Sequence, residues 1–145
     1  MEKYLLFNTI GNLVDRTVIF ASLVFGGVID RFLGLKICLA HGEGYSCIGI
    51  GHMDCGWQVR PEARTHIETP PSKYLRRFYY DTVTHDDSAL KMLVDTTGAE
   101  RILFCTDWPV DMRIENPVQR LNGLDFLTSD EKRMILGCNA GMVFR

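Results

Sequence analysis

The stretch LKICLAHGEG at residues 35–44 decides the fold. Its first six residues form a short apolar run of β-compatible residues, typical of a buried parallel strand. The run stops at His41, after which Gly42 and Gly44 permit a sharp turn. A helix over residues 45–57 is expected next. The stretch therefore predicts a strand, a turn and a helix, with a His at the carboxyl end of the strand.

The same pattern occurs twice more along the chain. Residues 78–83 predict a second strand, which ends in polar residues that include His85. Ser88 is expected to N-cap a helix that runs to about residue 96. Residues 101–105 predict a third strand, again followed by polar residues. Three strands thus alternate with helices.

Shorter signals mark the remaining segments. Residues 60–72 contain three prolines and read as a long loop. Thr128, with Glu131 three residues later, has the pattern of a helix capping box. A short final helix is expected to begin near Asn139.

The alternation of strands and helices predicts an α/β fold with a parallel sheet and right-handed crossovers, either doubly wound or a barrel. In both architectures, side chains at the carboxyl ends of the strands face the ligand site. His41, His85 and Asp107 each follow such an end. These residues are therefore the candidates for a functional site.

Each of these side chains has a catalytic and a structural interpretation. A neutral imidazole at His41 can act as base or acid near neutral pH, or it can simply be a turn residue bonded to backbone. Asp107 follows an apolar strand, so its carboxylate is a candidate metal ligand or general base, or else a turn or cap residue. His85 is expected mainly to organise the turn into the next helix.

One long apolar helix is predicted before the first strand, over residues 14–32. Apolar residues recur there at alternating spacings of four and three, which predicts a core-facing stripe. The stripe consists of Val14, Val18, Ala21, Phe25, Val28 and Phe32. Ile19 and Leu23 make the opposite face apolar as well. The helix is therefore expected to have neighbours on both sides, including contacts between subunits of a homo-oligomer.

Composition excludes several classes of protein. The chain has 145 residues, is 46% hydrophobic and 23% charged, and is expected to form one globular unit over residues 1–145. A total of 16 Lys and Arg against 18 Asp and Glu, without a long run of one sign, gives no electrostatic footprint for nucleic acid. No HExxH, GxSxG or P-loop motif occurs.

Cysteine usage and hydropathy predict a cytoplasmic protein without a membrane partner. The 5 cysteines include no CxxC pair, which indicates a reducing compartment. Residues 17–29 are the most apolar stretch, but they are too few to span a bilayer.

Four ordered motifs resemble one family, the aminocarboxymuconate-semialdehyde decarboxylase-like branch of the amidohydrolase superfamily. The motifs are AHGEG at 40–44, RFYYD at 77–81 with THD at 84–86, CTDWP at 105–109 and GCNA at 137–140. The similarity runs from about residue 4 to residue 144.

The resemblance implies a (β/α)8 TIM barrel of the metal-dependent-hydrolase type and assigns roles to several residues. Family members bind a divalent metal, usually zinc, and Asp107 matches the ligand on their eighth strand. His41 matches a His on the sixth strand that assists proton transfer. His52 and Trp108 fall at positions expected to contact a small carboxylic-acid substrate. The three strands are thus expected to be the sixth to the eighth.

The chain departs from the family pattern in three respects. No His-x-His pair occurs, and the fifth-strand His of the family is also absent. Glu43 replaces a glycine of the His-Gly-Gly-Gly turn and is expected to add a charge beside His41. His52 stands where the family has an Arg, and an imidazole cannot form the same bidentate fork with a carboxylate.

These departures leave two hypotheses for function. In the first, the chain is a truncated member that supplies part of a decarboxylase or hydrolase, with the metal held jointly with another polypeptide or a longer parent sequence. In the second, it is a catalytically inactive remnant or a module that associates with another barrel chain, because three strands of a barrel leave open sheet edges.

Overall fold

Three short parallel strands form one sheet at the centre of the protein. The computed structural model describes residues 3–144 and orders the strands β1-β2-β3. Their bounds are Cys38–Leu39 for β1, Tyr79–Asp81 for β2 and Ile102–Leu103 for β3. All three lie within the predicted strands and all pair in parallel, as predicted. Each is shorter than predicted, because only the middle of each apolar run pairs with a neighbour.

Residues 3–144 form seven α-helices besides the sheet. They are α1 (Asn12–Phe25), α2 (Val28–Arg31), α3 (Ser46–Val59), α4 (Asp87–Thr97), α5 (Pro117–Asn122), α6 (Ser129–Arg133) and α7 (Asn139–Val143). A π-helical turn, Phe7–Gly11, leads into α1, and another, Met134–Cys138, joins α6 to α7. Helix α5 was not expected from the sequence. The predicted loop over residues 60–72 contains a 3-10 turn at Pro61–Arg64 and runs into a second at Pro71–Arg77.

The prediction of one continuous helix over residues 14–32 is wrong. The chain breaks between α1 and α2 at Gly27, which adopts a left-handed conformation with φ 68°. A Cβ atom at this position would lie 2.8 Å from the backbone oxygen of His66. The break therefore needs both the conformational freedom and the small size of glycine.

The prediction of which side of that helix packs on the core is also wrong. Phe20 and Val24 are fully buried, whereas Val14 and Val18 are 43% and 56% exposed. Because α1 is apolar on both faces, periodicity alone did not identify the face that packs on the sheet.

The core lies between the sheet and the helices. In one row of the sheet, Leu39 pairs with Tyr80 and Tyr80 with Ile102, and all three side chains are buried. The rings of Phe20 and Phe78 lie 5.2 Å apart, which joins α1 to the start of β2. The sheet thus packs one face against the helices, as in other α/β folds.

Two helix caps test the sequence rules directly. The capping box of Thr128 and Glu131 is confirmed, since each side chain bonds to the backbone of the other residue. The N-cap of α4 is Asp86, whose carboxylate accepts from Ala89 N at 2.8 Å, and not Ser88. Asp and Ser are comparable N-caps, so the polar run before α4 did not fix the first residue of the helix.

Every helix of residues 3–144 is too short or too polar to span a lipid bilayer.

Replacing Gly27 with Ala should destabilise the protein, because the new Cβ meets His66 and the left-handed backbone disfavours it. We expect the free energy of unfolding to fall by roughly 1–3 kcal/mol. Gly49→Ala is the matched control, since Gly49 lies inside α3 and a Cβ atom added there would have no other atom within 4 Å. That change should raise stability by roughly 0.5–1 kcal/mol. Urea unfolding followed by circular dichroism measures both, and equal stability of the two variants would contradict the break at Gly27.

Candidate functional site

A cavity of about 520 Å³ opens at the carboxyl ends of the three strands. Its walls come from the turns after β1, β2 and β3 and from the amino-terminal segment that leads into α1. The lining residues are Phe7, Asn8, Thr9, Asn12, Leu13, His41, Val83, Thr84, His85, Asp107, Val110 and Met112. The fold therefore brings His41, His85 and Asp107 to one cavity. A cavity of this size lies in the usual range for small-molecule sites.

All three polar residues have a left-handed backbone. The φ angles are 56° for His41, 56° for His85 and 64° for Asp107. A residue with a side chain rarely adopts this conformation, and each instance costs roughly 1–3 kcal/mol. Such residues often occur at functional sites. Seven described residues other than glycine have positive φ, and these three are the ones among them that line the cavity.

The turn that carries His41 is held by the carboxylate of Asp81. Asp81 Oδ2 accepts from His41 N at 2.9 Å, and Oδ1 accepts from Gly42 N at 2.9 Å and Val83 N at 3.0 Å. Asp81 itself is only 6% exposed. A buried carboxylate with several backbone donors is well satisfied, so this turn is fixed to β2.

Helix α1 closes the other side of the same turn. Gly44 has φ 71° and ψ −122°, and a Cβ atom there would lie 2.0 Å from the backbone oxygen of Leu13. Tyr45 N donates to Thr17 Oγ1 at 2.8 Å. The turn is thus clamped between β2 and α1, and only glycine fits at position 44.

The turn that carries Asp107 is tied to the end of β2. Thr82 Oγ1 donates to Cys105 O at 2.8 Å and accepts from Cys105 N at 3.0 Å. Beyond it, Val110 N donates to Asp107 O at 2.9 Å. These contacts leave the half-buried Asp107 side chain at the cavity wall.

Glu43 lies beneath the turn and is fully buried. Neither of its carboxyl oxygens has a hydrogen-bond partner among the described residues. Burial raises the pKa of Glu43 from 4.5 to about 8, and the nearby Cys47 and Ser46 groups oppose this rise only in part. The expectation that Glu43 adds a charge beside His41 is therefore wrong at pH 7, because an unpaired buried carboxylate stays protonated.

Burial around Glu43 also affects its neighbours. Desolvation, followed by the negative charge that an ionised Glu43 would carry, raises the pKa of the Cys47 thiol and of the Tyr80 hydroxyl. Both groups therefore stay protonated, and the interior below the turn is uncharged at neutral pH.

The other two residues expected to contact substrate lie outside the cavity. His52 is on the exposed side of α3, where it borders a separate surface depression with Phe25 and Arg60. Trp108 is 72% exposed, and the Arg113 guanidinium lies 5.1 Å from its ring centroid. Neither side chain lines the cavity with His41.

Sequence reasoning gave no role to several residues of the site. Asp81 stood inside a recognised motif, but its bonds depend on the spatial position of the neighbouring turn. Asn8 and Asn12 reach the cavity because the π-helical turn and the start of α1 lie beside the strand ends. No local pattern marks either feature.

The described residues do not form a metal site by themselves. Within residues 3–144, no group of three or more His, Cys, Asp or Glu side chains is placed so that it could hold a metal ion. A protein zinc site ordinarily needs three or four such ligands. Asp107 can thus be at most one ligand of a set completed by other residues.

Comparison with known proteins gives a consistent result. The sequence profile of the family described as Amidohydrolase matches residues 11–145. The chain is 31% identical over 141 residues to the 2-amino-3-carboxymuconate-6-semialdehyde decarboxylase of Dictyostelium discoideum, a match that covers 97% of this chain and 39% of that protein.

Two solved structures show the same fold. The 5-carboxyvanillate decarboxylase LigW of Sphingomonas paucimobilis superimposes with a TM-score of 0.74 at 27% identity, covering 86% of this chain and 38% of that one. A dihydroxybenzoic acid decarboxylase of Polaromonas sp. JS666, with bound manganese and the inhibitor 2-nitroresorcinol, gives 0.75 at 23% identity, covering 88% and 39%.

These matches confirm the predicted α/β fold class. The chain has the fold of part of a metal-dependent-hydrolase (β/α)8 barrel. The chain spans about two fifths of the length of the relatives it matches. The match to the decarboxylases extends over nearly all of this chain.

Stability should fall as the pH rises from about 4.5 to about 8, because of Glu43. In this window the unfolded carboxyl is ionised while the folded one stays protonated, so the folded state binds more protons and loses stability with rising pH. The full loss, on the order of 5 kcal/mol, is reached above about pH 8. Glu43→Gln removes the titrating group and should flatten the pH dependence across this window, as measured by urea unfolding at successive pH values.

The exposed Glu62 provides the control for this measurement. Glu62→Gln changes the same chemical group outside the core and should retain the wild-type slope. A wild-type slope in the Glu43→Gln variant would show that Glu43 is not the group responsible.

Proposed function

The chain belongs to the amidohydrolase family, and from this premise we propose that it supplies part of the active site of a metal-dependent decarboxylase. The observation that carries the proposal is the cavity that joins His41 and Asp107, both in left-handed conformations, at the carboxyl ends of β1 and β3. The Dictyostelium relative, by its name, decarboxylates a conjugated carboxylic acid. A small carboxylic acid is therefore the substrate class of the proposal.

In this proposal the two residues have different roles. His41 moves the proton that the substrate carbon gains when the bond to CO2 breaks, since an imidazole can donate or accept a proton near neutral pH. Asp107 is one ligand of a divalent metal, which we propose to be zinc. The remaining ligands would come from outside residues 3–144, from a longer parent sequence or from another polypeptide.

The lining of the cavity fits a small, flat acid. Phe7, Leu13, Val110 and Met112 offer apolar surface, while Asn8 and Asn12 offer amide donors for polar substituents. Apolar surface with several polar side chains directed at the same space is typical of small-molecule sites.

The substrate roles of His52 and Trp108 need a different geometry. His52 lies away from this cavity, so any contact it makes with substrate would be in the cavity of a neighbouring subunit. Trp108 is adjacent to Asp107 in sequence, and its ring would have to turn inward to reach the cavity. Both substrate contacts therefore depend on how the protein assembles.

We place the protein in the cytoplasm, because its 5 cysteines are free.

A second candidate function is an association module without catalytic activity of its own. It is favoured by an exposed apolar stripe along the amino-terminal segment and α1, which we call the α1 stripe. Its members are Phe7, Ile10, Val14 and Val18, each at least 43% exposed. They recur at spacings of three and four residues and so share one side of the helix.

The open edges of the sheet point to the same partner. Among the described residues, β1 and β3 each pair only with β2, so each leaves one edge free. Free edges and exposed apolar surface are usually covered by another part of a fold or by another chain. Another barrel chain, or a second copy of this one, is the partner that this second candidate predicts.

Metal content and turnover test the first candidate. The chain is purified alone and together with an amino-terminal barrel part from the Dictyostelium relative, and divalent metals are measured by mass spectrometry. We expect about one metal ion per complex only in the mixture.

Asp107→Asn should lower metal content and abolish turnover. His41→Asn should keep the metal and lower turnover roughly 100-fold or more, which is the usual effect of losing a general acid or base.

Asp111→Asn is the matched control for Asp107→Asn. Asp111 lies in the same loop, is exposed and does not line the cavity, so metal content and turnover should stay at the wild-type level. Absence of stoichiometric metal from both wild-type samples would overturn the first candidate.

Light scattering tests the second candidate. The wild-type chain is expected to associate, and replacing both Val14 and Val18 with Lys should shift it toward the monomer by placing charge on the α1 stripe. Val118→Lys changes an apolar residue on α5 that is 49% exposed and should leave association unchanged. A monodisperse wild-type monomer would count against association through this surface.

A further inference from the structure

The three bonds of the Asp81 carboxylate are divided unequally between its two oxygens. Oδ1 accepts from Gly42 N and Val83 N, whereas Oδ2 accepts from His41 N alone. Asp81 therefore links two strand ends, and one oxygen serves only the residue that carries the imidazole.

Two of the three residues that donate hydrogen bonds to Asp81 line the cavity. His41 and Val83 both line it, while Asp81 lies behind them and does not. The left-handed backbone of His41 is unfavourable for a residue with a side chain, so something in the fold must hold it. Hydrogen bonds to a charged acceptor are stronger than those between neutral groups, and Asp81 supplies one at His41 and one at the next residue.

We propose that Asp81 is a positioning residue, which fixes the backbone of His41 so that the imidazole faces the cavity wall shared with Asp107. The inference rests on the proposed function in that His41 is the residue that moves the proton. Asp81 acts through the His41 N–H and touches neither substrate nor metal.

Because the two oxygens hold different donors, one substitution can remove the bond to His41 and keep the other two. In Asp81→Asn the amide oxygen can take the place of Oδ1 and keep the bonds to Gly42 and Val83. The amide nitrogen then faces His41 N–H, and two donors cannot bond to each other. The variant therefore releases His41 while it keeps the rest of the turn attached to β2.

Two control variants separate positioning from general weakening. Tyr80 lies on β2, as Asp81 does. Tyr80→Phe removes the hydrogen bond that the buried Tyr80 hydroxyl donates to Leu75 O and leaves the bonds of the His41 turn in place. Asp86→Asn makes the same acid-to-amide change at the N-cap of α4, where Asn is an equally good cap.

The experiment has one readout in the chain alone and one in the complex with the amino-terminal barrel part. In 15N-labelled full chain, the His41 amide proton is expected to be shifted downfield and slow to exchange, and both properties should be lost in Asp81→Asn but kept in the two controls. In the complex, Asp81→Asn should lower kcat by tenfold to a hundredfold with KM changed less than threefold, as expected for a misplaced catalytic group.

The outcomes distinguish this inference from the proposed function. If the wild-type complex has no turnover, the proposed function fails, and the His41 amide signals still decide whether Asp81 holds that residue. A His41 amide that exchanges freely in the wild-type chain overturns the inference, even if Asp81→Asn does not fold. An equal loss of kcat in Tyr80→Phe and Asp81→Asn also overturns it, because the effect would then be one of stability.

Discussion

The carboxylate of Asp81 is the contact on which the arrangement of the strand ends depends. Parallel strands in this protein pair over only two or three residues, so the ladder itself is short. Side-chain bonds extend it: Asp81 joins the turn after β1 to β2, and Thr82 joins β2 to the backbone of Cys105 after β3. Asp81, the last residue of the central strand, and Thr82, directly after it, therefore hold the two outer turns, one on each side.

Below this polar edge the interior is uncharged. Glu43 is a buried acidic residue that would carry a negative charge if it ionised, but burial keeps it protonated. Cys47 and Tyr80 stay protonated for the same reason. The protein thus places the Asp81 carboxyl where three backbone donors satisfy it, and keeps the unpaired Glu43 carboxyl in the neutral form. Ionising a carboxyl without partners would cost more than the interior of a small domain can offset.

Sequence patterns predicted what is local and missed what depends on distant contacts. The three parallel strands, the helices α3 and α4 that follow the first two, the capping box of Thr128, and the positions of His41 and Asp107 at strand ends follow from hydropathy and turn chemistry within a few residues. The break at Gly27 and the buried face of α1 were missed because they depend on contacts with His66 and with the sheet. Asp81 was missed for the same reason, since its donors Gly42 and His41 lie about 40 residues earlier.

The left-handed residues connect these observations to the site. His41, His85 and Asp107 are on separate turns, and each turn leaves its strand with the same unfavourable backbone. For two of them, bonds between strand ends support the turn: those of Asp81 at His41, and those of Thr82 to Cys105 ahead of Asp107. A metal site on this edge would need ligands beyond the described residues, whereas the contacts that place His41 and Asp107 come from β2, the turn after it and α1. The geometry of the two candidate residues is therefore a property of this chain, and the activity they could support depends on what completes the barrel.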